Sequence, residues 1–144
     1  MAATGTSTYL AAKYLNLWFN AASYSAVGTI YLAQDTGTIG AGGLQFEVSS
    51  GNSYARLSVT CNTTNFPTIT STNVMNNGVT LSMATASGPW TGNSGSNTTC
   101  KGCGIMDASS SGNELFWGPN STAETVVAND ILQYTANNFT ITFN

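Results

Sequence analysis

Apolar and polar residues alternate along several short stretches of this chain, the period-two pattern of half-buried strands. Over residues 54–62, Ala55, Leu57, Val59 and Cys61 interleave with Tyr54, Arg56, Ser58 and Thr60, which predicts a strand with the first set inward. Phe139, Ile141 and Phe143 alternate with Thr140 and Thr142 near the end, and residues 79–83 alternate after the Asn76-Asn77-Gly78 turn signal. Residues 29–33, 45–49, 124–128 and 131–135 read as further strands, and residues 68–72 as a short one. Only residues 8–20 change period: Leu10, Tyr14, Leu17 and Trp18 recur at helical spacing, with Thr6, Ser7 or Thr8 available as N-cap. That aromatic stripe is expected to be core, or a lid over one open end of the sheets.

The stretch around which the rest is arranged is GIMDASSSGNELFWG, residues 104–118. Two apolar runs flank a turn-rich segment, so it reads as a β-hairpin. Simple alternation would send Leu115 and Trp117 to one face, Glu114 and Phe116 to the other. With turn signals at close intervals, the expected fold is all-β: an antiparallel β-sandwich of jelly-roll or Greek-key type, with one N-terminal α-helix over residues 8–20. At 144 residues, with no internal repeat, the chain is expected to form one domain over residues 1–144.

Composition narrows the function. Only 6% of residues are charged and the net charge is -3, while Ser, Thr, Asn and Gly make up about half the chain. A surface this polar and this poorly charged repels neighbours weakly, which points to life in an assembly. No basic patch exists for a phosphate backbone, so nucleic acid is not an expected partner. No apolar run is long enough to span a bilayer, and the N-terminal residues lack the basic region of a signal peptide. No membrane partner is therefore expected, and synthesis is expected in the cytoplasm. Asn-x-Ser/Thr matches at Asn62, Asn97, Asn120 and Asn138 are then chance in so Asn- and Thr-rich a chain.

Candidate chemistry is sparse. There is no histidine, which removes the commonest general base and metal ligand. Cys100 and Cys103 have CxxC spacing, but zinc wants four ligands and only Cys61 remains; a redox motif should open a helix, and this one enters a strand. Cys61 and Cys103 are expected inward as reduced thiols, with a pair between Cys100 and either Cys103 or Cys61 left open after release to an oxidising medium. The glycines of residues 35–43 lack the Lys-Ser/Thr of a phosphate loop. Asp107 and Glu114 flank the hairpin turn and are expected to bond turn backbone or water. Trp90 lies in a polar loop, as an anchor beneath it or as a display for a partner. No catalytic, cofactor-binding or metal residue is assigned.

In order, SYSAVGTIYLA (23–33), GNSYARLSVTCN (51–62), GPW (88–90), GIMDASSSGNELFWG (104–118) and ANDILQYTANNFTITFN (128–144) resemble a family of small structural proteins of tailed bacteriophages, commonly labelled phage tail fibre protein. The shared features are a Tyr-Ala-Arg strand, a Gly-x-Trp turn and a Gly-Ile-Phe-Asp-Ala hairpin; Met106 and the preceding Cys-Lys-Gly-Cys depart from it. Proteins of this size and character also resemble jelly-roll cement proteins of phage heads. The resemblance implies a virion protein that is not an enzyme. The preferred expectation is a decoration protein on the outer surface of the head, bridging major capsid protein subunits as a dimer or trimer of itself. The alternative is a tail or tail-fibre component, structural or receptor-binding, with Trp90, Trp117 or tyrosines stacking on sugars. An enzyme using paired carboxylates ranks third.

Overall fold

The computed structural model describes residues 2–3, 5–37, 43–69, 73–93 and 98–143. In chain order the elements are β1 (Ala2–Ala3), β2 (Gly5–Thr6), α1 (Thr8–Phe19), β3 (Thr29–Asp35), β4 (Leu57–Thr60), β5 (Val74–Asn76), β6 (Leu81–Ser82), β7 (Thr99–Met106), β8 (Glu114–Thr125), β9 (Gln133–Tyr134) and β10 (Thr140–Thr142). A five-stranded sheet has the order β2-β8-β7-β3-β4, a three-stranded sheet β1-β10-β5, and β6 pairs with β9. Pairing is antiparallel except between β1 and β10. The all-β sandwich with one N-terminal helix is therefore the observed architecture. Because β1 joins the three-stranded sheet and β2 the five-stranded one, residues 2–3 and 5–6 contribute to different sheets and link the two.

The hairpin expected at residues 104–118 is present and forms the centre of the large sheet, with β7 and β8 its longest strands. Its alternation differs from expectation. The register slips where Ile105 faces Phe116 but Met106 faces Glu114, so Leu115 is an extra residue in β8. The bulge turns Leu115 into the core, leaves Phe116 packed against the same core, and lays Trp117 over Gly5 of β2. A second slip, between Cys100 opposite Glu124 and Gly102 opposite Pro119, frees residues 120–123 from the ladder. Pro119 sits at its start, where a residue without an N–H ends regular pairing.

β4 is shorter than residues 54–62, and its facing is corrected at both ends. Val59 is buried and Leu57 packs on the core, but Cys61 is exposed and Tyr54 is buried. Asn52 and Ser53 adopt φ of 48° and 63°, and the Tyr54 amide closes a turn onto the Gly51 carbonyl at 2.7 Å. That turn swings Tyr54 inward before the strand begins.

Residues 45–49 form isolated bridges, Glu47 with Asp35 and Val48 with Gly92, instead of a regular strand. The reason is chemical. Asp35, wholly buried, accepts amide hydrogens from Gly37 at 2.5 Å, from Phe46 at 3.1 Å and from Gln45. Amides turned to a carboxylate are lost to a ladder. Of residues 68–72, Thr68 and Ile69 are outside any strand, and residues 70–72 lie outside the described residues.

Helix α1 starts where expected. The Ser7 hydroxyl accepts the Leu10 amide at 3.1 Å, and the Ser7 amide donates to the Leu115 carbonyl at 3.0 Å, tying the helix start to β8. The helix stops at Phe19, with Asn20 as C-cap and Ala21 at φ 51°. Its apolar stripe splits in two: Leu10 is buried and Tyr9 and Tyr14 pack against the core, but Leu17 and Trp18 are exposed. The expectation that the whole stripe is core or lid fails for the second half, because the core takes up only Leu10, Tyr9 and Tyr14 of the helix, while Trp18 borders an open recess.

Candidate functional site

Side chains able to do chemistry are, for the most part, bonded into the fold. Asp107 accepts the Asn113 amide at 2.6 Å and its side-chain NH2 at 2.8 Å, closing the hairpin loop. Glu114 faces the other way, beneath residues 43–44, where it accepts the Leu44 amide at 3.1 Å. The two carboxylates flanking the turn are thus given different partners and form no catalytic pair. Burial pushes Glu114 up to about 7, with the charge of Asp35 acting in the same direction and the Leu44 hydrogen bond against it. Asp130 accepts the Val127 amide at 2.9 Å. Among the described residues, no three His, Cys, Asp or Glu side chains converge as a metal site would require.

The three cysteines are free. Cys100 and Cys103 are buried, and burial pushes both thiols up to about 12, far from the thiolate that redox or metal chemistry needs. The inward placement expected of Cys103 is observed; that of Cys61 is not.

Trp90 takes the anchor role. It is fully buried, its indole N–H donates to the Asn52 carbonyl at 3.1 Å, and its ring meets Tyr54 edge-on at 5.1 Å. It is not available for stacking on a sugar. The Tyr-Ala-Arg motif is likewise structural. The Tyr54 hydroxyl accepts the Gln34 amide at 2.9 Å and donates to Glu47 at 3.1 Å, while Arg56 pairs with Glu47 and donates to the Ala108 and Ser111 carbonyls at 2.9 and 2.7 Å.

Among the described residues, four buried polar ones are unmarked by the sequence pattern, including Thr36, whose hydroxyl donates to the Phe46 carbonyl at 3.1 Å. Asn77 donates to the Val79, Tyr134 and Thr135 carbonyls and accepts the Phe139 amide at 2.8 Å, holding the last strands together. Gln34 donates to the Tyr134 hydroxyl at 3.0 Å, which donates in turn to Asn120 at 2.9 Å. Asp35 gathers the amides of Gly37, Gln45 and Phe46. Asn77 lies in a turn signal, but nothing in the local pattern of Gln34 or Asp35 marks burial.

What remains is surface. An open groove of about 530 Å³ is lined by amides and hydroxyls, including Asn120, Thr122, Gln133 and Thr135, with Glu124 as its carboxylate. A second recess, about 540 Å³, is apolar and lies between α1 and the chain end, lined by Thr6, Ala11, Tyr14, Leu15, Trp18 and Phe143. Around it Leu15 is 60%, Trp18 79% and Phe19 81% exposed, the largest concentration of uncovered apolar side chain described. Among the described residues, no helix is long and apolar enough to cross a membrane.

The fold is a β-sandwich whose polar side chains are largely bonded to one another and whose distinctive surface features are grooves and an aromatic patch. The family model described as Podophage GP4 fiber I protein gp80 matches residues 5–142, and the chain belongs to that family of phage structural fibre proteins. The kinship read from the Tyr-Ala-Arg, Gly-x-Trp and hairpin motifs is borne out. No curated protein matches the chain.

Proposed function

We propose that the protein is a fibre component of a phage tail, contributing surface to the virion without catalysing a reaction. The observation that carries this reading is the family match over residues 5–142, whose description names a fibre. The absence of histidine and the use of Asp35, Glu47, Asp107, Glu114 and Asp130 in internal hydrogen bonds support a non-catalytic role. Head decoration, the reading preferred from composition, is the second proposal. The sparsely charged, acid-leaning surface favours it, with the major capsid protein as partner, but the family description favours the fibre.

Virion stoichiometry separates the two. Quantitative mass spectrometry of purified particles should give a number set by tail symmetry, on the order of a few dozen copies or fewer. Antibody labelling should mark the tail. Hundreds of copies with label over the head would overturn the fibre reading and establish decoration.

A further inference from the structure

We infer that the exposed face of α1 is a self-association surface, covered by the same face of a second copy of this chain. It is an apolar patch with relief. Leu15, Trp18 and Phe143 border the recess of about 540 Å³, while Phe19, one helical turn beyond Leu15 and so on the same side, projects from the surface at 81% exposure. A projecting ring beside a hollow large enough to admit one lets each of two like surfaces enter the other.

Charge narrows the choice of occupant. None of the residues that form the patch is ionised, and the one charge on α1, Lys13, lies with its ammonium over the Tyr9 ring at 5.3 Å. The first turn of the helix carries no acid and the last turn no base. A charged partner finds no countercharge here, whereas an identical patch meets no like charge across a two-fold axis. Size agrees. At exposures of 79%, 81% and 46%, the rings of Trp18, Phe19 and Phe143 offer on the order of 400 Å² of apolar surface. That is about half of the roughly 800 Å² each partner contributes to a stable interface, and an apolar centre of that share is usual between identical subunits. Asn16 and Asn20, bonded to each other through their side chains at 2.7 Å, provide a neutral polar rim.

Sedimentation of the purified full chain tests this. The wild type is expected to associate over roughly 1–200 µM, and the Trp18→Ser/Phe19→Ser variant to bind itself at least about thirtyfold more weakly, as loss of two aromatic anchors requires. The removed rings touch little else, so circular dichroism should be unchanged. Acrylamide quenching of the unmodified protein gives a readout free of mutation: a tryptophan protected at high concentration should become accessible on dilution. A wild type monomeric throughout the range, an oligomer indifferent to the double substitution, or quenching independent of dilution would each overturn the inference. The result is independent of virion placement, which stoichiometry decides separately.

Discussion

The guanidinium of Arg56 and the carboxylate of Glu47 meet at 2.7 Å, Nη2 to Oε2, with side-chain exposures of only 9% and 22%. A second bond, Nε to Oε1 at 2.8 Å, makes the contact bidentate, and the remaining arm of Arg56 reaches the hairpin loop between β7 and β8. One side chain therefore fastens the start of β4, the irregular segment around residue 47 and the loop that closes the central hairpin.

Arg56→Ala should lower stability by about 2–4 kcal/mol, since it strands a largely buried carboxylate and frees two loop carbonyls. Urea denaturation followed by tryptophan fluorescence measures it. Arg56→Lys should recover little, because a point charge cannot span both carboxylate oxygens and both carbonyls. Full recovery by lysine would contradict the bidentate role.

Trp90→Ala should remove about 3–5 kcal/mol, the range for deleting a fully buried large aromatic. The loss combines core contact with the bond to the Asn52 carbonyl. A stable variant with altered ligand binding would mean the ring is displayed and not buried.

Stability should decline as pH rises toward 7 because of Glu114. Its carboxyl titrates at about 7 in the fold against 4.5 for the ordinary group, so between these values the folded state holds more of the proton than the unfolded chain. Unfolding releases it, and the folded state loses ground with increasing pH. Glu114→Gln keeps an acceptor for the Leu44 amide and has no charge to bury. It should raise the urea midpoint at pH 8 and leave it nearly unchanged at pH 4. Equal effects at both values would remove Glu114 as the titrating group.

Thiol labelling should separate the cysteines. Cys61 is exposed and should react with a maleimide promptly in the native protein, while Cys100 and Cys103 should react only on unfolding. Mass spectrometry of peptides from briefly labelled protein reads this directly. Prompt labelling at Cys103 would show that β7 opens readily.

Local pattern by itself determined that this is a β-rich chain with one helix at its start, a hairpin over residues 104–118 and motifs of a phage structural family. Alternation, caps and turn residues act over a few neighbours, so a one-dimensional reading captures them. Ser7 caps α1 and Asp107 closes its turn for such reasons. Which way a side chain finally faces was decided by what arrives opposite from distant parts of the sequence. The carboxylate of Asp35 drew amides from residues 45–46 out of a ladder, the bulge at Leu115 turned two successive residues toward the core, and the turn before β4 exchanged the expected places of Tyr54 and Cys61. The helical stripe shows the same division. Spacing placed Leu10, Tyr14, Leu17 and Trp18 on a helix, but the described sheets reach only as far as Tyr14, leaving the second half of the stripe uncovered.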